Sequence, residues 1–407
     1  VRLIWSLLRD GYSDHTVCRL SRTPFILLLI RLAMPLGWLL PLYNRSSLFF
    51  FFPFLHVGGA EQVHAALTGC VADKRPWIFF TKRSDNRAFR PLFPARARLL
   101  NIWRLLKHGY PFSVGIMAGL INRHREPVVF GSNSLFYYLL LPHLRRGVRR
   151  IDLLHAFGGG AEEFSLPVVH ELDARVVITS RTREDLARQY RERGIDPRLV
   201  ERVVLIPNGV HIPPRKPQRK REEKIRILYV GRASEEKRVH LVGSIAAACS
   251  RRGLAVTVTL VGDIAPEAMG DEAARSCVFA GEVRDREEMT RLYSAADMLL
   301  LTSSREGFPL VIMEAMAQGV VPLATAVGGI PEHLRHGENG WLLENHDDEQ
   351  MIAENACTLI ARACRDRQRL EEMSQAAYEY AAAHFSSARF CQAYRRILTP
   401  DGYHPHA

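Results

Sequence analysis

The stretch Asp297-Met298-Leu299-Leu300-Leu301-Thr302-Ser303-Ser304-Arg305-Glu306-Gly307-Phe308-Pro309-Leu310-Val311-Ile312-Met313-Glu314-Ala315-Met316-Ala317 decides how this chain folds. Its first six residues are a short apolar run of the kind found in parallel strands buried on both faces. Pro309 then marks the start of a helix, because proline is favoured at the first helical position. The stretch therefore reads strand, loop, helix, with Glu306 just past the strand and Glu314 inside the helix. The unpaired N–H groups at such a helix start form an electropositive site suited to a phosphate. A carboxylate at its mouth and another deeper in can hold the hydroxyls of a phosphate-linked sugar and a ribose.

The same alternation extends in both directions. Further strands are predicted at 225–230, 255–262, 277–280 and 320–323, with helical stretches between them. An earlier series is predicted at 48–54, 77–81, 127–130, 151–155, 175–179 and 203–206. The first of these runs into Gly58-Gly59-Ala60-Glu61, where a glycine pair opens a helix to about residue 72. The proline- and charge-rich Pro213-Pro214-Arg215-Lys216-Pro217-Gln218-Arg219-Lys220-Arg221 separates the two series. Residues 347–398 read as helices only. The expectation is an α/β protein with two Rossmann-like, doubly wound parallel sheets. Its parts are a leader at 1–47, a first domain at 48–212, a linker at 213–224, a second domain at 225–385, and a crossover helix and tail at 386–407.

Bulk composition agrees: 407 residues exceed one ordinary core, and 24% charged with 47% apolar residues excludes a disordered chain. The net charge of +12 is unevenly spread. Lys82, Arg83, Arg87, Arg90, Arg96, Arg98, Arg104, Lys107, Arg123 and Arg125 are opposed only by Asp85 across their stretch. Such a surface suits an anionic membrane or a lipid-linked acceptor, although a plain solvated basic face has the same composition. No zinc-finger spacing or ribonucleoprotein motif accompanies it, so no nucleic-acid partner is expected. The seven cysteines are far apart, odd in number and lack a Cys-x-x-Cys pair. They read as reduced thiols of a cytosolic protein, with neither disulfides nor a metal site.

Residues 24–42 (PFILLLIRLAMPLGWLLPL) are the one segment suited to a bilayer. Four arginines precede it and no small-residue cleavage site follows, which argues against a signal peptide. Its length just reaches that of a spanning helix, but Arg31 is internal and Pro35 and Pro41 interrupt it. The preceding arginines would also send the rest of the chain outside, away from the compartment where activated sugars are made. The segment is therefore expected to lie in the membrane interface, with a spanning helix and a buried core helix as alternatives. The corresponding location is cytoplasmic, peripheral on the cytoplasmic face of the inner membrane.

Two motifs of the second series carry the chemistry together. Tyr229-Val230-Gly231-Arg232-Ala233-Ser234-Glu235-Glu236-Lys237 is a strand, a glycine turn, and two cations five positions apart that can reach one diphosphate. In isolation this is also the pattern of a surface salt bridge. Glu314 sits among Leu310, Val311, Met313, Ala315, Met316 and Ala317, so its helix is expected to be largely buried. A carboxylate there without a partner or ligand would be costly.

With Phe279-Ala280-Gly281-Glu282-Val283, and with Val327-Gly328-Gly329-Ile330-Pro331-Glu332 leading to Gly337-Glu338-Asn339-Gly340, these motifs resemble the donor domain of the retaining glycosyltransferases of family 4, the group 1 glycosyltransferases. The first series is similar more loosely, through Gly58-Gly59-Ala60-Glu61, His155 and Asn208-Gly209. The resemblance spans about 48–398 and implies the GT-B fold, with two domains facing across a cleft and a closing helix near 390–397. It implies that Arg232 and Lys237 neutralise the donor diphosphate, that Glu306 holds sugar hydroxyls and that Glu314 holds the ribose. It places the backbone of Gly307, Phe308, Pro309 and Leu310 beside the sugar and phosphate, and Val283 against the base. Gly59 would approach the donor and His155 the sugar. Arg238 departs from the pattern, standing where the family commonly has glycine.

No Asp-x-Asp occurs in the chain, so a metal-clamped diphosphate is not indicated and no cofactor or metal is expected. Cations and a helix start can stabilise the leaving diphosphate instead. The expected reaction is transfer with retention from a UDP- or GDP-sugar to the hydroxyl of a glycan or lipid-linked glycan in cell-surface polysaccharide or lipopolysaccharide synthesis. A nucleotide-sugar epimerase or hydrolase of the same fold, and a membrane-docked protein without catalysis, are the competing readings.

Overall fold

Phe49, Phe50, Phe51 and Phe52 are all buried, as a strand covered on both faces requires. They belong to β1 (Leu48–Phe52), one of thirteen strands among the described residues of a computed structural model. The described residues are 21, 23–40, 46–55, 58–84, 89–220 and 222–399. Arg2, Arg9, Arg19 and Arg22, Cys18, Pro41, Asp85 and Arg87 therefore lie outside the description.

The chain divides into two units, one formed by Val1–Ile178, Arg183–Ile206 and Cys391–Ala407, the other by Thr179–Thr182 and Pro207–Phe390. The first unit carries β1, β2 (Trp77–Phe80), β3 (Arg98–Asn101), β4 (Val128–Ser132), β5 (Arg149–Leu154), β6 (Ala174–Val177) and β7 (Val203–Leu205). The second carries β8 (Ile225–Val230), β9 (Val256–Val261), β10 (Cys277–Gly281), β11 (Met298–Leu301), β12 (Val321–Thr325) and β13 (Trp341–Leu343). Every pairing is parallel, in the orders β3-β2-β1-β4-β5-β6-β7 and β10-β9-β8-β11-β12-β13. Each order reverses once, between β1 and β4 and between β8 and β11. Open α/β sheets bind ligands beyond the strand ends at such reversals.

Two strands have no counterpart in the sequence reading. β3 is an edge strand drawn from the arginine-rich stretch, exposed over most of its length, and so lacks a continuous apolar run. β13 has only three residues. A second surprise lies inside the first sheet, where Asp152 on β5 stands opposite Arg175 on β6. Both are buried, and Arg175 donates from Nη2 to Asp152 Oδ2 at 2.6 Å and from Nε to Oδ1 at 3.1 Å. Tyr138 donates to the same carboxylate at 3.0 Å, so the charges are tolerated because they satisfy one another.

The leader forms helix α1 (Pro24–Leu39), which runs on through Pro35. It packs against α3 (Trp103–Asn122), while α2 (Gly59–Cys70) follows β1. The α1–α3 contact is backbone on backbone. A Cβ on Gly115 would fall 2.2 Å from the Ile30 carbonyl oxygen, and one on Gly119 2.0 Å from that of Met34. Ile30, Ala33 and Gly37 are consequently buried, Ile26 and Met34 are half-buried against the same core, and the outer side of the helix is exposed. Among the described residues no helix is long and apolar enough to cross a membrane.

The cysteine reading needs correction. Cys70, at the end of α2, is disulfide-bonded to Cys391, and both belong to the first unit. Their separation of 321 positions explains why spacing did not suggest it. Cys249, Cys277, Cys357 and Cys364 are free thiols.

Candidate active site

The loop after β8 and the loop after β11 emerge on either side of the reversal in the second sheet. Hydrogen bonds stitch them together. The Ser304 N–H donates to the Glu236 carbonyl at 2.8 Å, and the Thr302 hydroxyl donates to the Lys237 and Arg238 carbonyls at 3.1 and 3.0 Å. Within this frame Lys237 Nζ lies 2.5 Å from Glu306 Oε1, and the Ser303 hydroxyl donates to the same oxygen at 2.7 Å. Lys237 and Glu306 are thus held as a mostly buried ion pair, with side chains 20% and 10% exposed. Arg232 is exposed at the tip of its loop, without an acid partner among the described residues.

Arg238 explains its own departure from glycine. Its φ of +45° is left-handed, the region glycine occupies without cost. The arginine offsets that strain through its guanidinium, which donates to the Thr302 and Ser303 carbonyls at 2.7 and 3.1 Å and to Asn345 Oδ1 at 2.6 Å. Burial lowers its pKa from the usual arginine value, against the opposing pull of the Glu349 carboxylate. Sequence reading marked this position as a departure without showing the tie.

Helix α6 (Leu310–Ala317) begins one residue later than expected. Pro309 is its cap, with ψ at +134°, and the first helical N–H groups are those of Leu310 and its successors. Proline has no N–H to contribute and its fixed φ suits the cap equally well, so the shift leaves the helix start intact. Phe308 is buried against Phe385 and His333, with ring centroids 5.3 and 4.3 Å away, which anchors the turn. Behind it stands Gly328, with φ +55°; a Cβ there would lie 1.8 Å from the Glu306 carbonyl oxygen. The Gly329 N–H donates to the Gly307 carbonyl at 2.7 Å. The glycine pair is therefore the support of the Glu306–Gly307 backbone.

Glu314 is half-buried on α6, and Tyr293 donates to its Oε2 at 2.9 Å from α5 (Arg286–Ala295), a helix preceded by α4 (Val239–Arg251). Burial, then the Glu314 charge, pushes the Tyr293 hydroxyl well above the usual tyrosine range, so it stays a donor. Tyr293 has no motif around it in sequence and was missed. Val283 is half-buried, packed against the core of the second unit beside Glu282 and Arg284, which pair at 2.5 Å.

The first unit holds its own candidate residues. Gly59 is the first residue of α2, and a Cβ there would meet nothing within 4 Å. His155 follows β5, and its Nε2 lies 3.1 Å from Nε2 of His64 on α2. His64 is fully buried and stacks on Phe52 at a centroid distance of 4.0 Å. Burial brings His155 down to about 4, and burial followed by the neighbouring imidazole lowers His64 well below the usual histidine value. At neutral pH both rings are therefore uncharged, and one donates a hydrogen bond to the other between the facing nitrogens. His64 was not anticipated, because a lone histidine on a helix carries no local signal.

Residues 213–380 match the family model of the glycosyl transferases, group 1. The match covers less than half of the chain, falls in the second unit, and supports the superfamily. N-acetyl-alpha-D-glucosaminyl L-malate synthase of Bacillus anthracis is 35% identical over 112 residues, 28% of this chain and 28% of that protein. The amylovoran biosynthesis glycosyltransferase AmsK of Erwinia amylovora is 30% identical over 140 residues, 32% of this chain and 34% of its own length. The alignments thus span about a third or less of these curated relatives. Among solved structures, HepE of Anabaena in complex with UDP is 18% identical with a TM-score of 0.68, covering 86% of this chain and 99% of that one. The chain has the GT-B type of fold, with two Rossmann-like parallel-sheet units.

Proposed function

We propose that this protein is a metal-independent, retaining glycosyltransferase of the family 4 type, which moves a hexosyl or related group from a UDP- or GDP-sugar to an acceptor hydroxyl. The observation that carries the proposal is the Lys237–Glu306–Ser303 cluster at the reversal of the second sheet, next to the start of α6. A diphosphate is drawn to Arg232, Lys237 and the free N–H groups of α6, while Glu306 and the backbone of Gly307 to Leu310 receive the sugar hydroxyls. Donor binding gives Lys237 a phosphate in place of Glu306 and frees the carboxylate for the sugar. Glu314, oriented by Tyr293, takes the ribose, Val283 lines the base, and Gly59 and His155 keep the roles toward donor and sugar that the resemblance implies. As the diphosphate leaves, the cations and helix start stabilise its charge, and a phosphate oxygen assists deprotonation of the acceptor on the same face.

The similarity to AmsK, an amylovoran biosynthesis glycosyltransferase, favours a glycan or lipid-linked glycan acceptor in polysaccharide or lipopolysaccharide synthesis, and HepE, crystallised with UDP-glucose, favours a UDP-sugar donor; the proposed location is the cytoplasmic side. Intact Arg232, Lys237, Glu306 and Glu314 weigh against a protein without catalysis. The test is a thermal-shift panel of UDP-, GDP- and ADP-sugars, each with and without a chelator. One base series should stabilise the protein by about 2.7 kcal/mol at a hundred times its dissociation constant, unchanged by the chelator. Silence across all three series, or loss of the shift with chelator, overturns the corresponding part of the proposal.

A further inference from the structure

The outer face of α1 is apolar and open. Phe25, Leu28, Leu32, Leu36, Trp38 and Leu39 are each more than half exposed, although the helix is anchored along its opposite side by Ile30, Ala33 and Gly37. Large exposed side chains at spacings of three and four form one stripe on a helix. A contiguous stripe of this kind marks an interaction surface and not ordinary surface scatter.

The partner of that stripe is indicated by charge. Ile30 opposes Gly115 and Met34 opposes Gly119, so α1 and α3 run in the same direction. Arg104 and Lys107 are exposed, as are Leu105 and Phe112, in the turns of α3 on either side of its kink at Gly109. At the other end Arg123 donates to the Trp38 and Leu40 carbonyls at 2.6 and 2.9 Å. Arg31 is exposed on α1 itself. Neither residues 24–39 nor residues 89–125 contain an aspartate or glutamate.

We propose that α1 and α3 together dock the first unit on an anionic lipid surface, with the apolar stripe of α1 in the acyl–headgroup boundary and Arg31, Arg104, Lys107 and Arg123 at phosphate level. A helix with one packed side and one apolar open side lies in a bilayer interface and does not cross it. The flanking cations give the surface its preference for anionic headgroups. The embedded unit is defined by the tight contact between α1 and the part of α3 that follows its kink at Gly109, so these two segments enter as one pair. This inference is independent of the reaction proposed above, because none of these residues belongs to the candidate active site.

The experiment is co-sedimentation of the full chain with vesicles of phosphatidylcholine alone and of phosphatidylcholine doped with phosphatidylglycerol, at low and high salt. The chain should bind the anionic vesicles at least about tenfold more tightly, and salt should erase most of that margin. Leu32→Glu/Leu36→Glu/Leu39→Glu should abolish binding to both vesicles while leaving the melting temperature and the nucleotide-sugar thermal shift unchanged. Arg104→Glu/Lys107→Glu should remove the anionic preference alone. If the triple variant still sediments with vesicles, the stripe is not the docking surface. If the wild-type chain ignores both vesicles the proposal fails, and if it self-associates in a way the triple variant abolishes, the face is covered by a second copy and the proposal fails as well.

Discussion

The two units share one winding, yet the segments that follow their strands carry opposite chemistry. In the second, the loops after β8 and β11 bring a lysine, two serines, a glutamate and a threonine into one hydrogen-bonded, charged cluster. In the first, the helix after β1 and the end of β5 bring together two neutral imidazoles, one stacked on Phe52. The difference teaches that the fold supplies a location and the loops supply the reagent. Charges suit a diphosphate, while uncharged donors and acceptors suit hydroxyls.

The comparison can be broken most forcefully at Glu306. Glu306→Gln keeps the shape and the Ser303 contact but removes the charge that Lys237 meets. Turnover of the cognate donor should fall by about a hundred- to a thousandfold, with the donor-induced thermal shift retained. Turnover near that of the wild type would sever the charged cluster from catalysis.

The neutral pair should reveal itself through pH. Both histidines have folded pKa values below the ordinary 6.5, His155 at about 4, so the unfolded chain binds more protons across that interval. The pair's contribution to stability is therefore complete above about pH 6.5 and declines as pH falls toward about 4, with His155 accounting for on the order of 3 kcal/mol. His64→Gln/His155→Gln should reduce the slope of melting temperature between these limits, leaving the part due to His124, His143 and His333, whose pKa values burial also lowers. An unchanged slope would place the acid sensitivity elsewhere.

The smallest effect sharpens the reading of Arg238. Arg238→Ala loses the bonds to Thr302 and Ser303 and keeps the left-handed strain, whereas Arg238→Gly loses the bonds but not the freedom to adopt φ +45°. Denaturant unfolding should find both less stable than wild type, with glycine ahead of alanine by about 1 kcal/mol. Equal values would mean that the backbone conformation there costs nothing.

Much of this was legible in the sequence because it is local. Buried parallel strands are continuous apolar runs, so β1, β8 and β11 announce themselves, while the half-exposed β3 and the three-residue β13 do not. Pro309 and Glu306 located the helix start and its acid to within a residue. The glycines at 328 and 329 were visible as part of a motif, but their task of bracing the Glu306–Gly307 backbone was not.

By itself the sequence determined the alternation of strands and helices, the two series and the set of charged side chains available at 232, 237, 306 and 314. Only the tertiary structure decided how those side chains are spent. It pairs Lys237 with Glu306 across 69 positions, His64 with His155 across 91, and Cys70 with Cys391 across 321. It also turned a hydrophobic leader into a one-sided helix by pressing Gly115 and Gly119 of α3 against its backbone. Periodicity and capping act over a few neighbouring residues, whereas these contacts depend on which strands lie side by side, and that order is set by packing of the whole sheet.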